Sequence, residues 1–316
     1  MRVCLSIEGQ EGVTWKQHVA LAHVCEEHGF EGLFRSDHYA SVFGATDRGS
    51  LSAWPVLAGL AAETNNLRLG TLVSPVTFRH PTELAGFVTA VDHISGGRAE
   101  VGIGAGWWAP DHREHGFPFP DHAIRSELLA EQLEVMHALW TQESTTFRGR
   151  HYTLEDCAAL PKPIQDPHPP IMVGGAAKRN TLEPAARFAD EYNTPAASLV
   201  ELRTRRQALV EACDAAGRDP GEVTFSLAVP CVIGRDDAEV ARRERHVLAR
   251  IERTEELAWI FAERHQSWAI GTPEEIIERL RELEKIGVER VYFQHHDHED
   301  LDSIALLGSE VLPAVR

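Results

Sequence analysis

The chain has 316 residues, 43% hydrophobic and 25% charged, which is the balance of an ordinary folded protein. That length suits two average domains or one α/β barrel. A formal net charge of −17 argues against a nucleic acid or an anionic membrane as the main partner, because gripping phosphates takes a basic face.

Short runs rich in Val, Ile and Leu alternate along the chain with longer segments of helical period. Arg2–Ile7 is a predicted strand, and Thr14–His28 a predicted helix that Gly29 closes. A strand at Glu31–Ser36 and a helix at Trp54–Glu63 follow, then a strand at Arg68–Ser74. Pro81–Ile94 reads as a helix with Leu84, Phe87, Val88 and Val91 at i, i+3, i+4 and i+7, ended by Gly96 and Gly97. Arg98–Gly104 is the fourth strand, and Ile124–Trp140 a helix with its stripe at Leu129, Leu133, Met136 and Trp140. In the second half Pro170–Val173, Glu191–Thr194, Val223–Val229 and Arg290–Gln294 read as strands. Helices are expected at Thr181–Ala189, Leu199–Ala216, Asp236–Ala262, Pro273–Ile286 and Leu301–Val311.

Apolar strands separated by helices imply a parallel sheet covered by helices. Eight such units point to one (β/α)8 TIM barrel spanning residues 1–316, with a doubly wound open sheet as the alternative. Two segments interrupt the rhythm: 106–123, rich in Trp, His, Pro and Phe, and 142–169, which carries PKPIQDPHPP. Long loops of this kind are often lids or binding loops, so both are expected to border one pocket. The five cysteines (Cys4, Cys25, Cys157, Cys213, Cys231) lie far apart without CxxC, which fits reduced thiols better than disulfides or zinc. No apolar run approaches a membrane span of roughly 18 residues, and MRVCLSIEGQEG lacks the apolar run of a signal peptide, so the cytoplasm is the expected location.

A barrel of this kind carries its active site at the C-terminal ends of its strands. Those ends read Ile7-Glu8-Gly9-Gln10, Ser36-Asp37-His38, Val73-Ser74-Pro75, Gly104-Ala105-Gly106-Trp107, Gly174-Gly175-Ala176-Ala177 and Gln294-His295-His296-Asp297. GIGAGW lets backbone come close to a flat ring or a phosphate, and VGGAAKRNT leads into a helix whose free N–H groups suit an anion. Both stretches also fit ordinary strand-to-helix turns. Glu8 and Arg35 are charges at strand ends, either paired within the fold or gripping a substrate. His295-His296-Asp297-His298-Glu299-Asp300 invites a metal reading, but neighbouring strand residues point to opposite sides and no ligand spacing supports one. His295 is retained as a pocket residue.

Ser36-Asp37-His38, SPVTFRHP (74–81), DHISGGR (92–98), GIGAGW (102–107) and Gly174-Gly175 with ARFAD (186–190) together resemble the luciferase-like monooxygenase superfamily. Within it they resemble the branch that uses the deazaflavin coenzyme F420. The resemblance runs colinearly from Met1 to about Pro195, and weakly to Gly271-Thr272-Pro273 and Tyr292–Gln294. It implies a homodimeric barrel that binds F420 or FMN at the rim and transfers a hydride to or from a small organic substrate. By position, His38 matches a proton donor or acceptor. Asp37, Leu72, Val73, Ser74, Ala105, Gly106 and Gly174, Gly175, Ala176 and Ala177 match cofactor-contacting positions, with a non-proline cis peptide in the Leu72–Ser74 bulge. Trp107 and Trp108 stand where the superfamily's glucose-6-phosphate dehydrogenases carry an acidic residue, and suggest an apolar wall instead. The alternatives are an FMN-dependent monooxygenase that activates oxygen and, more remotely, a non-catalytic ligand-binding barrel.

Overall fold

The computed structural model describes residues 1–45, 47–251 and 264–316. Eight parallel strands form its centre: β1 (Arg2–Ile7), β2 (Gly32–Arg35), β3 (Arg68–Thr71), β4 (Ala99–Gly104), β5 (Ile171–Gly174), β6 (Glu191–Pro195), β7 (Thr224–Ile233) and β8 (Arg290–His295). Each strand pairs with the next. β8 then pairs back onto β1, Arg2 opposite Arg290 and Ile7 opposite His295. The ring is closed, which excludes the open doubly wound sheet. Alternation sets its two faces. Leu5 and Ile7 of β1 pack outward into the core shared with the helices, whereas Cys4 meets Phe34, Met172 and Tyr292 inside the barrel.

The helices begin where local chemistry allows. Thr14 starts the helix Trp15–Glu27 with a capping box: its hydroxyl accepts from the Gln17 amide, and the Gln17 side chain accepts from the Thr14 amide. His80 and Pro81 open the helix Pro81–Ser95, and Gly96 closes it in the left-handed region at φ 68°. Among the described residues no helix is long and apolar enough to cross a membrane.

The interior is layered. At the N-terminal ends of the strands Arg290 donates to Glu100 Oε2 at 2.7 Å and to Glu191 Oε2 at 3.0 Å, and Arg68 also pairs with Glu100. The Tyr292 hydroxyl donates to Glu191 Oε1 at 2.7 Å. Above this network the rings of Phe34 and Tyr292 meet edge to face with centroids 4.8 Å apart. Val73 covers the next level.

That level departs from the regular strand predicted at Arg68–Ser74 and holds the bulge and non-proline cis peptide that the family resemblance implies. β3 stops at Thr71, the Leu72–Val73 peptide is cis, and a short strand at Ser74–Pro75 pairs beside Ile103 and Gly104. The bulge folds the Val73 side chain over the glycines of β4 and β5. A Cβ on Gly104 would lie 2.9 Å from Val73 Cγ2, and one on Gly174 would lie 3.0 Å from Val73 Cγ1. These glycines therefore make room for the bulge, a reason the sequence motifs did not reveal. Gly102→Ala sets a methyl against the Thr71 carbonyl and 2.9 Å from Val73 Cγ1. It is expected to lower stability by about 1–3 kcal/mol, the cost of overpacking a filled core, as read by chemical denaturation. An unchanged midpoint would mean that the bulge is free to shift.

Both irregular segments contain structure. Segment 106–123 holds the helix Ala109–His115, and 142–169 holds an antiparallel hairpin, Thr145–Arg148 with Thr153–Cys157. β7 runs on to Ile233, beyond the expected Val229, because its end pairs with a further short strand, Ala269–Gly271. Of the helix expected at Asp236–Ala262, Asp237–Arg250 is helical and 252–262 lies outside the described residues.

Candidate active site

The strand ends meet at one rim. Asp37, directly after β2, is buried, and its carboxylate accepts from the Ser74 hydroxyl at 2.6 Å and from both terminal nitrogens of Arg79. Arg79 also donates to the Tyr39 hydroxyl at 3.4 Å. The segment after the bulge is thus tied to the end of β2 by a buried ion pair. A carboxylate has about four acceptor directions, so Asp37 keeps capacity for a further donor.

His38 meets a residue the sequence reading did not single out. Its Nδ1 lies 2.9 Å from Asp111 Oδ2, and Asp111 is fully buried on the helix Ala109–His115. The same carboxylate accepts from the backbone amides of Ala40 at 2.9 Å and Tyr39 at 3.1 Å. Burial pushes the Asp111 carboxyl up, but the His38 contact and these amides outweigh it and hold the group below its ordinary value. The sequence signal for Asp111 was Pro110 followed by an acid, the start of a helix, inside a stretch taken as a loop. Arg79 stood inside the SPVTFRHP motif without a role.

Trp107 and Trp108 part company. Trp107 is 51% exposed, with its ring edge-on to His38 at a centroid distance of 6.1 Å. Trp108 is buried in an apolar cluster with Val42, Phe43, Val232 and Trp268, so of the two tryptophans Trp107 is the one exposed at the rim. Beyond them Tyr39, Phe78 and Phe117 pack together, with Tyr39 stacked on Phe117 at 5.3 Å.

On the opposite side Glu8 faces inward. It accepts from Gln10 at 2.8 Å and from Gln294 at 3.2 Å, and Ser36 donates to Gln10. Two expected pocket residues lie elsewhere. Arg35 points outward from β2, buried, donating to the carbonyls of Ser36 and Leu51 and to the Ser50 hydroxyl; it anchors the 50–51 segment. His295 also points outward, because Gln294 beside it takes the inward position. It lines a cavity of about 20 Å³ with Phe293, Ser303 and Leu307, far too small for a tricyclic ring.

The glycine loops are partly engaged by the fold itself. The amide of Gly175 donates to the Asn193 carbonyl at 2.9 Å, and that of Ala177 to the Tyr192 hydroxyl at 2.8 Å. The amides of Ala105, Gly106 and Ala176 have no partner among the described residues. Arg179 is paired with Glu183 at 2.6 Å at the surface.

The histidines near the end of β8 are not arranged around a metal: no group of three or more His, Cys, Asp or Glu side chains suited to one occurs among the described residues. His295, His296 and His298 are buried, as is His18, and each has one ring nitrogen without a partner. Burial lowers all four, His18 and His295 to about 4. Unfolded, each returns to about 6.5 and binds a proton that the native state refuses. Their contribution is complete above about pH 6.5 and is lost as the pH falls below it, for His18 and His295 down to about 4, by up to about 1.4 kcal/mol per pH unit for each group. Denaturation at pH 7 and pH 5 is expected to show this drop, and His295→Asn is expected to flatten it; a slope unchanged by that substitution would exclude His295 as a source.

Comparisons with known proteins bear on the family and the fold. Residues 2–290 match the family model described as luciferase-like monooxygenase. An FMNH(2)-dependent dimethylsulfone monooxygenase of Pseudomonas putida is 27% identical over 94% of this chain and 86% of its own. An F420-dependent glucose-6-phosphate dehydrogenase of Nakamurella multipartita is also 27% identical, over 94% of this chain and 91% of its own. Among solved structures, an F420-dependent secondary alcohol dehydrogenase in complex with an F420–acetone adduct superposes with a TM-score of 0.84 at 20% identity, covering 100% of this chain and 99% of that one. At that identity the likeness concerns the fold. With a closed eight-stranded barrel and a family match over nearly its whole length, the chain belongs to the luciferase-like monooxygenase family, whose members include F420-dependent and FMN-dependent enzymes.

Proposed function

We propose that this enzyme transfers a hydride between coenzyme F420 and a small organic substrate, with His38 exchanging the accompanying proton. The observation that carries the reading is His38 at the strand rim, anchored through Nδ1 by a buried carboxylate and set edge-on to the exposed Trp107. Oxidising an alcohol, or reducing a carbonyl, moves one proton for each hydride, and an imidazole is the side chain suited to that exchange near neutral pH.

The residues present fit a flavin-type ring. The Val73 bulge offers an apolar backing, and the unpartnered amides of Ala105, Gly106 and Ala176 are donors for the anionic tail such a cofactor carries. Asp37, Leu72, Ser74, Gly174, Gly175 and Ala177 complete the proposed cofactor surface. A deazaflavin, when bound, supplies two-electron hydride chemistry, and the protein supplies placement and electrostatics. Glu8, with Gln10 and Gln294, forms the polar side of the substrate space, and Trp107 the apolar side. Trp107, where the superfamily's glucose-6-phosphate dehydrogenases carry an acid, gives no support to a sugar phosphate as the substrate.

Spectroscopic titration of the purified protein with F420 and with FMN tests the proposal. Saturable F420 binding, much tighter than FMN, is expected. Tight FMN binding without F420 binding would overturn it in favour of an oxygen-activating monooxygenase. Binding of neither would leave a ligand-binding barrel.

A further inference from the structure

We infer that Asp111 is the positioning residue of His38: it keeps the imidazole proton on Nδ1, so that Nε2 is the atom that exchanges a proton with the substrate. The inference rests on the proposed role of His38 and extends it to a residue no motif assigned. It follows from counting donors. Asp111 Oδ1 accepts from the amides of Ala40 at 2.9 Å and Tyr39 at 3.1 Å, while Oδ2 lies 2.9 Å from His38 Nδ1. With its side chain fully buried and two backbone N–H groups donating to Oδ1, the carboxylate is held ionised and has no proton to give. The only hydrogen bond available across the 2.9 Å contact is then Nδ1–H donating to Oδ2. The neutral ring must therefore carry its lone pair on Nε2, which has no partner among the described residues. When Nε2 gains a proton the buried carboxylate is already in place to stabilise the imidazolium, with no reorganisation at that moment.

A purely structural role is the competing account, since Asp111 also pins the amides that follow His38. Asp111→Asn separates the two. The Asn Oδ1 can still accept from Tyr39 and Ala40, but its amide nitrogen can only donate toward His38, which forces the ring proton onto Nε2. In protein labelled with ¹⁵N-histidine, long-range ¹H–¹⁵N correlation reads the tautomer directly, and the His38 signals among the 17 histidines are assigned by their loss in His38→Asn. The expected result is Nδ1–H in the unaltered protein and Nε2–H in Asp111→Asn. Turnover should fall about 10²–10⁴-fold in that variant, the usual worth of a positioned proton-transfer group, while KM and F420 affinity change less than about threefold. Asp111→Ala removes the clamp as well, and should lose both the tautomer preference and thermal stability. A wild-type His38 protonated on Nε2, or the same tautomer in Asp111→Asn, would overturn the inference. The tautomer is read without cofactor, so a failure to bind F420 would sink the proposed function while leaving the tautomer result standing.

Discussion

Arg290→Met is expected to lower the free energy of unfolding by about 3–5 kcal/mol, the loss seen when one partner of a buried ion network is removed. The guanidinium is buried between Glu100 and Glu191, both themselves buried, with contacts of 2.7 and 3.0 Å. Burial alone would push the Glu100 carboxyl up, but Arg290 and Arg68 overcome it and hold it below its ordinary value. Without Arg290, Glu100 keeps the partly exposed Arg68, and Glu191 keeps the Tyr292 hydroxyl but no cation among the described residues. Their desolvation is then no longer offset. Adding Glu191→Gln to Arg290→Met should recover part of the loss, because it removes the second uncompensated charge and keeps an acceptor for the Tyr292 hydroxyl. The network lies at the N-terminal ends of the strands, away from the rim, so cofactor affinity should be unaffected at temperatures where the variant stays folded. A loss below about 1 kcal/mol in guanidinium denaturation would show that the layer repacks or admits water, and that the network contributes little.

The barrel was legible because its evidence is periodic. Strands buried on both faces read as short continuous apolar runs, and the helices between them carry stripes at i, i+3, i+4 and i+7. What the sequence hid depends on approach in space. Arg35 and His295 were placed in the pocket because they adjoin strand ends, yet side-chain alternation turns both outward. Phe34 and Ser36 flank Arg35, and Gln294 precedes His295; a one-residue displacement exchanges inside for outside. Gly102 and Gly104 of GIGAGW looked like part of a cofactor cradle, but each faces the Val73 side chain, which reaches them only because the chain breaks from β3 after Thr71. Asp111 was hidden for another reason. It lies 73 positions from His38, and only the fold of the inserted segment brings the two together.

His38→Asn carries the largest expected effect on catalysis. Asparagine can keep an N–H donor toward Asp111 Oδ2, so the buried carboxylate is not left unpaired and the loop through Tyr39 and Ala40 keeps its amide contacts. What asparagine cannot do is accept and release a proton near neutral pH. Stability should therefore change by less than about 1 kcal/mol, as for a substitution that preserves the buried hydrogen bond. F420 affinity should stay within about threefold of the unaltered protein, since the proposed cofactor contacts lie on Asp37, the bulge and the loop amides. Hydride transfer, followed by the deazaflavin absorbance with a panel of alcohols and carbonyl compounds, should fall about 10²–10⁴-fold. The contrast with Trp107→Ala is informative. Trp107 is exposed beside His38 and exchanges no proton, so its loss should raise KM and leave kcat within a few-fold, the mark of uniform binding. If His38→Asn instead behaves like Trp107→Ala, with KM raised and kcat preserved, the imidazole is a wall of the pocket and the proton must travel by another group. Glu8, on the inward face opposite with Gln10 and Gln294, would be the first to examine.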